Sequence, residues 1–162
     1  LIEHSRKLGI PVIVDPKLTG LGKGNGATVA LFEIRGLELL RRRLMMENAS
    51  ETASKLMEDH DWDSLVVLGG VNGLTLYESD GSSMFMPCKA PNPKQQIGLH
   101  DAAATALAAA LGHGLEIKDA AMLAAAACDC ILSATSSREF IDRSTLGLWL
   151  DELSWQLQIS ER

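Results

Sequence analysis

The sequence predicts an α/β fold in which a mostly parallel sheet has helices on both faces. The first observation is that short continuous apolar runs, typical of buried parallel strands, alternate with segments of helical periodicity. The second is a pair of alternating runs separated by Ser79-Asp80-Gly81, which predicts a small antiparallel hairpin. Because 162 residues suffice for one ordinary core and are too few for two, we expect a single domain over 1–162.

The strands are predicted from apolar runs that stop at an acidic residue, a glycine or a turn. Three buried strands and the two strands of the hairpin are expected at 11–15, 27–32, 64–68, 73–78 and 83–86. Residues 16–26 form a predicted loop, because glycine occupies every second position from Gly20 to Gly26. The connection 87–96 contains three prolines and is expected to be exposed.

The helices are predicted where apolar residues recur with helical spacing between recognisable start and stop residues. Gly9 ends the first helix, and Asn48 or Ser50 caps the third. The expected ranges are 1–8, 36–46, 51–60, 101–111, 116–132 and 145–159. The chain starts within the first of these without an initiator methionine, so we expect it to be part of a longer protein.

Charge and hydropathy exclude several classes of function. Lys and Arg total 15 against 21 Asp and Glu, a net charge of −6, which argues against general binding to nucleic acid or to anionic membranes. No apolar stretch is long enough to span a bilayer, and no signal-like segment opens the chain. We therefore expect a cytoplasmic protein with no membrane partner.

The cysteines do not have the spacing of a disulfide framework or a zinc site. There are three of them, Cys88, Cys128 and Cys130, and the last two are separated by Asp129 near the end of an alanine-rich segment. An odd number of thiols without further ligands nearby favours buried free thiols over a metal site. No metal-ligating residues are predicted.

The most informative local pattern is the turn Gly98-Leu99-His100-Asp101, which runs directly into an alanine-rich helix. Free N–H groups at a helix start, aided by the helix dipole, form a site for an anion. Asp101 could there accept a proton from a hydroxyl while the backbone holds a phosphoryl group. The alternative is a structural one, in which Asp101 is simply the N-cap of the helix.

Several segments together resemble the C-terminal half of the PfkB (ribokinase-like) carbohydrate kinases, and especially the heptose-phosphate kinase domain of ADP-heptose synthase. The resemblance covers about 8–132. Its motifs are Val14-Asp15-Pro16-Lys17, Gly26-Ala27-Thr28, Val66-Val67-Leu68-Gly69 with Gly73, Met86-Pro87, and 101–120. Such a kinase is about twice as long as this chain, and the absent half supplies the sugar-binding strands and lid.

The resemblance implies ATP and Mg²⁺ as cofactors, with a nucleotide and a phosphorylated sugar as ligands. In the family motif D-T-x-G-A-G-D, the last acid takes the proton of the sugar hydroxyl and the G-A-G backbone holds the γ-phosphoryl group. This assigns Asp101 as the catalytic base and Gly98, Leu99 and His100 as the anion hole. By the same resemblance, Lys17 contacts a phosphate, whereas a Lys at that strand end is often only solvated. Gly69 and Gly73 border the nucleotide.

The sequence departs from the family pattern at several supporting positions. Residues 95–97 replace the first acid and the threonine of the motif, and Leu99 and His100 replace Ala and Gly. The family's N-x-x-E falls on 33–36, its Thr on Leu68 and its adenine-proximal Asn on Ala125.

These departures leave three functions open. One is half of an ATP-dependent sugar kinase, another is a catalytically inactive pseudokinase or interaction domain, and the third is a small nucleotide-binding regulatory module. For the chain by itself the departures favour the second. A sheet that lacks neighbouring strands also predicts self-association through an exposed edge.

Overall fold

The sheet of the computed structural model has five strands in the order β1-β2-β3-β4-β5. The structure describes residues 1–90, 97–134 and 141–160. The strands are β1 (Ile13–Val14), β2 (Val29–Glu33), β3 (Ser64–Leu68), β4 (Leu74–Glu78) and β5 (Ser83–Met86). The first three are parallel, with Ile13 opposite Val29 and Val29 opposite Ser64. The predicted α/β class with a mostly parallel sheet is confirmed.

Six α-helices lie within the described residues, and all six were predicted. They are α1 (Ile2–Lys7), α2 (Ile34–Arg43), α3 (Ala49–His60), α4 (Leu99–Gly112), α5 (Ile117–Ser133) and α6 (Arg143–Ser160). Two short 3₁₀ turns, Leu21–Gly24 and Gly70–Asn72, lie in the glycine-rich loops that follow β1 and β3. None of the helices in this part of the chain is long and apolar enough to cross a membrane.

The chain forms two compact units. The first is Leu1–Leu68 with Thr75–Met84, and the second is Gly69–Leu74 with Phe85–Arg162. The expectation of one domain over 1–162 stays a prediction. The core of the first unit joins β2, β3, α2 and α3, and Trp62 lies in it with only 2% of its surface exposed. In the second unit α5 contacts both α4 and α6.

Buried alanines are concentrated in α4 and α5, two helices that contact each other. The buried alanines are Ala103, Ala106 and Ala110 on α4, and Ala120, Ala121, Ala124, Ala125, Ala126 and Ala127 on α5. Alanine loses no side-chain entropy on folding and favours helix, so it suits a helix pair that packs with little side-chain bulk between the backbones. The larger Leu107 and Leu132 are also buried in these helices.

Two local predictions need correction. β1 covers two residues instead of 11–15, because the Val12 carbonyl accepts from both Thr28 N–H and Val29 N–H and regular pairing starts only after it. The connection 87–96 was expected to be exposed, but 87–90 are half-buried and the rest lies outside the described residues. His60, the last residue of α3, is half-buried and stacks on Trp62 with 4.7 Å between ring centroids.

The two candidates for the N-cap of α3 are now distinguished. Asn48 is the cap, since its side-chain oxygen accepts the Glu51 N–H at 2.9 Å. We expect Asn48→Ala to lower the free energy of unfolding by about 1 kcal/mol, because the orphan amide loses its partner. Urea unfolding measures this, and Ser50→Ala, which removes no cap, is the matched control. Equal losses in the two variants would contradict the assignment.

Candidate functional site

The turn before α4 is shaped by one glycine. Gly98 is the N-cap, in the left-handed conformation with φ 89°, and a Cβ added there would meet nothing within 4 Å. The helix begins at Leu99, and the Ala102 N–H donates to the Gly98 carbonyl at 2.9 Å. The N–H groups of a first helical turn have no carbonyl partner within the helix. The turn therefore has amide donors without partners in the helix, at a glycine whose surroundings hold no described atom within 4 Å of an added Cβ.

Asp101 is the third residue of α4, not its N-cap. The structural alternative considered for Asp101 is therefore wrong, because Gly98 takes that place and makes no side-chain cap. Asp101 is exposed, and no hydrogen bond or ion pair to another described residue engages its carboxylate. An acid in the first turn is favoured by the helix dipole. The same placement leaves the carboxylate available to an incoming hydroxyl.

Leu99 and His100 differ in what they offer to an anion. Leu99 is 8% exposed and its side chain is part of the core, so only its backbone faces the helix end. His100 is half-buried and helical, so the residue that has positive φ in this turn is Gly98. A histidine at the third anion-hole position therefore carries no backbone strain here.

Gly69 and Gly73, which the resemblance assigns to the nucleotide, each lie too close to other backbone atoms to carry a side chain. The Gly69 N–H donates to the Gly73 carbonyl at 2.8 Å and closes a tight turn after β3. Gly73 has φ 88°, and a Cβ there would lie 2.3 Å from the Met86 carbonyl oxygen. The structure thus brings Gly69 and Gly73 together, and their contact with a nucleotide stays a prediction.

Lys17 lies in the first unit, at the edge of a cleft of about 500 Å³ that follows β1. Its polar lining includes Asp15, Thr19 and Lys23, and Lys17 itself is exposed. Gly24 also lines the cleft, and its carbonyl accepts the Trp62 indole N–H at 2.8 Å. Two lysines and a hydroxyl suit an anionic ligand, although the Lys17 contact with phosphate stays a prediction.

The sequence reading missed Asp129 as a structural group. This carboxylate is 2% exposed and its Oδ1 accepts the Lys89 N–H at 3.0 Å and the Ala90 N–H at 3.4 Å. Burial raises the pKa of Asp129, and its hydrogen bonds with Cys88 and the two amides oppose that rise. The only sequence signal was an acid within a run of alanines and cysteines, where a buried carboxylate requires partners.

The three thiols are free and hard to ionise. Burial, followed by the hydrogen bond with Asp129, raises the pKa of Cys88 to about 11. Burial also raises the pKa of Cys128 to about 12 and that of Cys130 to about 11. Protonated thiols are poor nucleophiles and poor metal ligands, so their part in the fold is as apolar side chains and weak donors.

Known proteins resemble this chain in sequence and in fold. No protein-family model matches the chain. The chain is 32% identical over 121 residues to the bifunctional protein HldE of Geotalea uraniireducens. The aligned residues cover 74% of this chain and 25% of that protein. It is 29% identical over 133 residues to HldE of Citrobacter koseri, covering 82% and 28%. The chain thus spans about a quarter of the length of these curated relatives.

Solved structures show the same fold in about half of each kinase. Phosphofructokinase-2 of Escherichia coli, in complex with substrates and products, superposes with a TM-score of 0.77 at 17% identity, covering 94% of this chain and 50% of that one. Ribokinase of Thermotoga maritima gives a TM-score of 0.75 at 16% identity, covering 93% and 52%. From its sequence relatives and its ribokinase-like fold, the chain is identified as a PfkB carbohydrate-kinase-like chain similar to the bifunctional HldE proteins.

Proposed function

We propose that this chain is the half of an ATP-dependent sugar kinase that binds the nucleotide and carries the catalytic base, with a heptose-phosphate-like sugar as acceptor. One observation carries the proposal. At the start of α4, the exposed carboxylate of Asp101 lies in a first helical turn whose N–H groups have no carbonyl partner in the helix, and a Cβ at the N-cap Gly98 would meet no described atom within 4 Å. The 29–32% identity to HldE proteins supports the choice of sugar class.

The turn fits the terminal phosphate of ATP. Amide donors and the positive end of a helix dipole stabilise negative charge, and the lack of a Cβ at Gly98 leaves room for a phosphoryl group to approach the backbone. Asp101 accepts the proton of the attacking sugar hydroxyl, and the hydroxyl oxygen forms the new P–O bond as ADP leaves.

The residues present fit Mg²⁺ less well than the turn fits a phosphate. No group of three His, Cys, Asp or Glu side chains converges anywhere in the described residues, although a Mg²⁺ that accompanies ATP needs only one or two carboxylates besides phosphate oxygens. Of the positions that the resemblance assigns to organising Mg²⁺, Glu33 offers an oxygen and Gly36 has no side chain. We therefore propose no step through the metal ion.

A pseudokinase is the second candidate, and the same turn favours it. Residues 96, 99 and 100 are Gln, Leu and His where the motif has Thr, Ala and Gly. Phosphoryl transfer depends on positioning and charge stabilisation, so losing several supporting groups lowers the rate by orders of magnitude. In this function the fold would bind a nucleotide or a partner without transfer. The self-association expected from an exposed sheet edge stays a prediction.

The test separates nucleotide binding from chemistry. We expect ATP to bind the chain in isothermal titration and to raise its melting temperature, and Asp101→Asn to change ATP affinity less than about threefold. In the protein that joins this chain to its sugar-binding half, Asp101→Asn is expected to lower the transfer rate by about 10²–10⁴, the usual contribution of a general base.

Asp119→Asn is the matched control, because Asp119 is an exposed first-turn acid on α5 and has no assigned role. Absence of any binding at millimolar ATP would overturn both the kinase and a nucleotide-binding pseudokinase. Binding without transfer in the joined protein would leave the pseudokinase. Unchanged turnover of Asp101→Asn would remove Asp101 as the base.

A further inference from the structure

Two adjacent residues of α5 bind the chain ahead of the turn 98–101 and within it. Asp129 binds the backbone N–H groups of Lys89 and Ala90, which precede the turn. The Cys128 thiol donates to the Leu99 carbonyl at 3.8 Å, at the first residue of α4. Two adjacent residues of α5 thus bind backbone groups that lie about ten residues apart in the sequence.

The hydrogen-bond donors of Asp129 indicate which part of the chain it binds. A buried carboxylate is costly unless it is well hydrogen-bonded. The donors that reach Asp129 are the thiol of Cys88 and the amides of Lys89 and Ala90, all from one short stretch of chain. Its neighbours along α5 are buried alanines and cysteines, so nothing on the helix itself needs an acid at this position.

We propose that Cys128 and Asp129, here named the α5 clasp, are positioning residues that fix the turn 98–101 for a phosphate. This inference rests on the proposed function for the role of the turn, but the ordering itself is a property of the chain without nucleotide. Asp129 binds the backbone at Lys89 and Ala90, ahead of the turn, and Cys128 binds the carbonyl of the first helical residue, Leu99. Neither side chain contacts the phosphate, so both act through the backbone.

Hydrogen exchange of the chain without nucleotide tests the ordering. We expect Asp129→Ala to raise exchange at the amides of Lys89 and Ala90 by at least tenfold, and at Ala102 and Ala103 by at least threefold. Asp129→Asn keeps an acceptor oxygen and should stay within about threefold of the unmodified chain at all four. A rise confined to Lys89 and Ala90, or an equal rise throughout the second unit, would overturn the proposal.

A second pair of variants keeps the test decisive if Asp129→Ala does not fold. Cys128→Ala removes the thiol donor and is expected to raise exchange at Ala102 and Ala103 about threefold, with Lys89 and Ala90 unchanged. Cys128→Ser should reverse the rise, because its hydroxyl can still donate to the Leu99 carbonyl. An identical pattern in the Ala and Ser variants would show that only volume matters and would refute the clasp. Asp119→Asn, on the same helix, is the control.

ATP titration then connects the clasp to function. If the unmodified chain binds ATP, Asp129→Ala is expected to weaken binding at least tenfold and Asp129→Asn less than threefold. Equal affinity in all three would refute a positioning role even where exchange has changed. If the unmodified chain binds no ATP, the proposed function fails, and the exchange pattern still decides whether the α5 clasp orders the turn.

Discussion

Gly73→Ala is expected to lower the free energy of unfolding by about 3 kcal/mol. Two costs add at this position. The backbone has φ 88°, a conformation that costs an L-residue about 1–2 kcal/mol. The new methyl group would also lie 2.3 Å from the Met86 carbonyl oxygen and 2.9 Å from the Pro87 Cα, both backbone atoms that yield only if the chain shifts. Urea unfolding at neutral pH measures the loss.

Gly81→Ala is the matched control for this prediction. Gly81 has the same φ of 88°, but a Cβ there meets nothing within 4 Å. Its substitution therefore carries the conformational cost alone, about 1 kcal/mol. The difference between the two variants isolates the steric contact with the Met86–Pro87 backbone. If both variants lose the same stability, this contact is not a constraint, and a nucleotide role becomes the better reason for glycine at 73.

Trp62→Ala is expected to cost about 3–5 kcal/mol, the range for removing a buried large aromatic side chain. Trp62 is 2% exposed, packs against Phe32 with 5.9 Å between ring centroids, and stacks on His60. Its indole N–H also holds the Gly24 carbonyl beneath the cleft that contains Lys17. The substitution therefore removes core volume and leaves a buried carbonyl without its donor. Denaturant unfolding followed by circular dichroism gives the value.

Two variants separate these contributions. Trp62→Phe keeps most of the ring and loses the N–H donor, so about 1–3 kcal/mol is expected. Phe85→Ala, at an aromatic residue that is 55% exposed on β5, should cost less than about 1 kcal/mol. A Trp62→Phe variant as stable as the unmodified chain would show that the bond to Gly24 contributes nothing. The cleft would then keep its shape without it.

Local signals predicted most of the fold. The strand expected at 64–68 is β3, because a short apolar run that contains β-branched residues and ends at a glycine pair favours a buried strand. Helix ends were less well defined. α4 was expected from Asp101 but begins at Leu99, because Gly98 takes up the left-handed turn and Leu99 is buried. These causes are a backbone conformation and a tertiary contact, which sequence periodicity does not report.

Trp62 shows why part of the core could not be predicted from the sequence. It lies between Asp61 and Asp63 just past the end of α3, where neighbouring charges suggest an exposed turn. Its burial depends on the Gly24 carbonyl, 38 residues earlier in the chain. No pattern within a helix or strand period links two such positions, so the sequence could not assign Trp62 to the core.

The candidate site also has a part that the sequence predicts and a part that only the structure shows. Gly98 to Asp101 are contiguous, so a turn leading into a helix could be predicted from adjacent residues alone. The packing of Gly73 against Met86 and the partners of Asp129, 39 and 40 residues away, depend on which segments the fold brings together. A short motif therefore suffices to predict the candidate turn, whereas the contacts of Gly73 and Asp129 required the structure.

The path of the chain through its two compact units affects how the protein can be dissected. It leaves the first unit after Leu68, returns at Thr75 and leaves again after Met84. A single cleavage at any of these points separates β1–β3 from the β-hairpin or divides the hairpin itself. Neither unit corresponds to one uninterrupted stretch of polypeptide, so a deletion from either terminus that reaches the middle of the chain removes part of both.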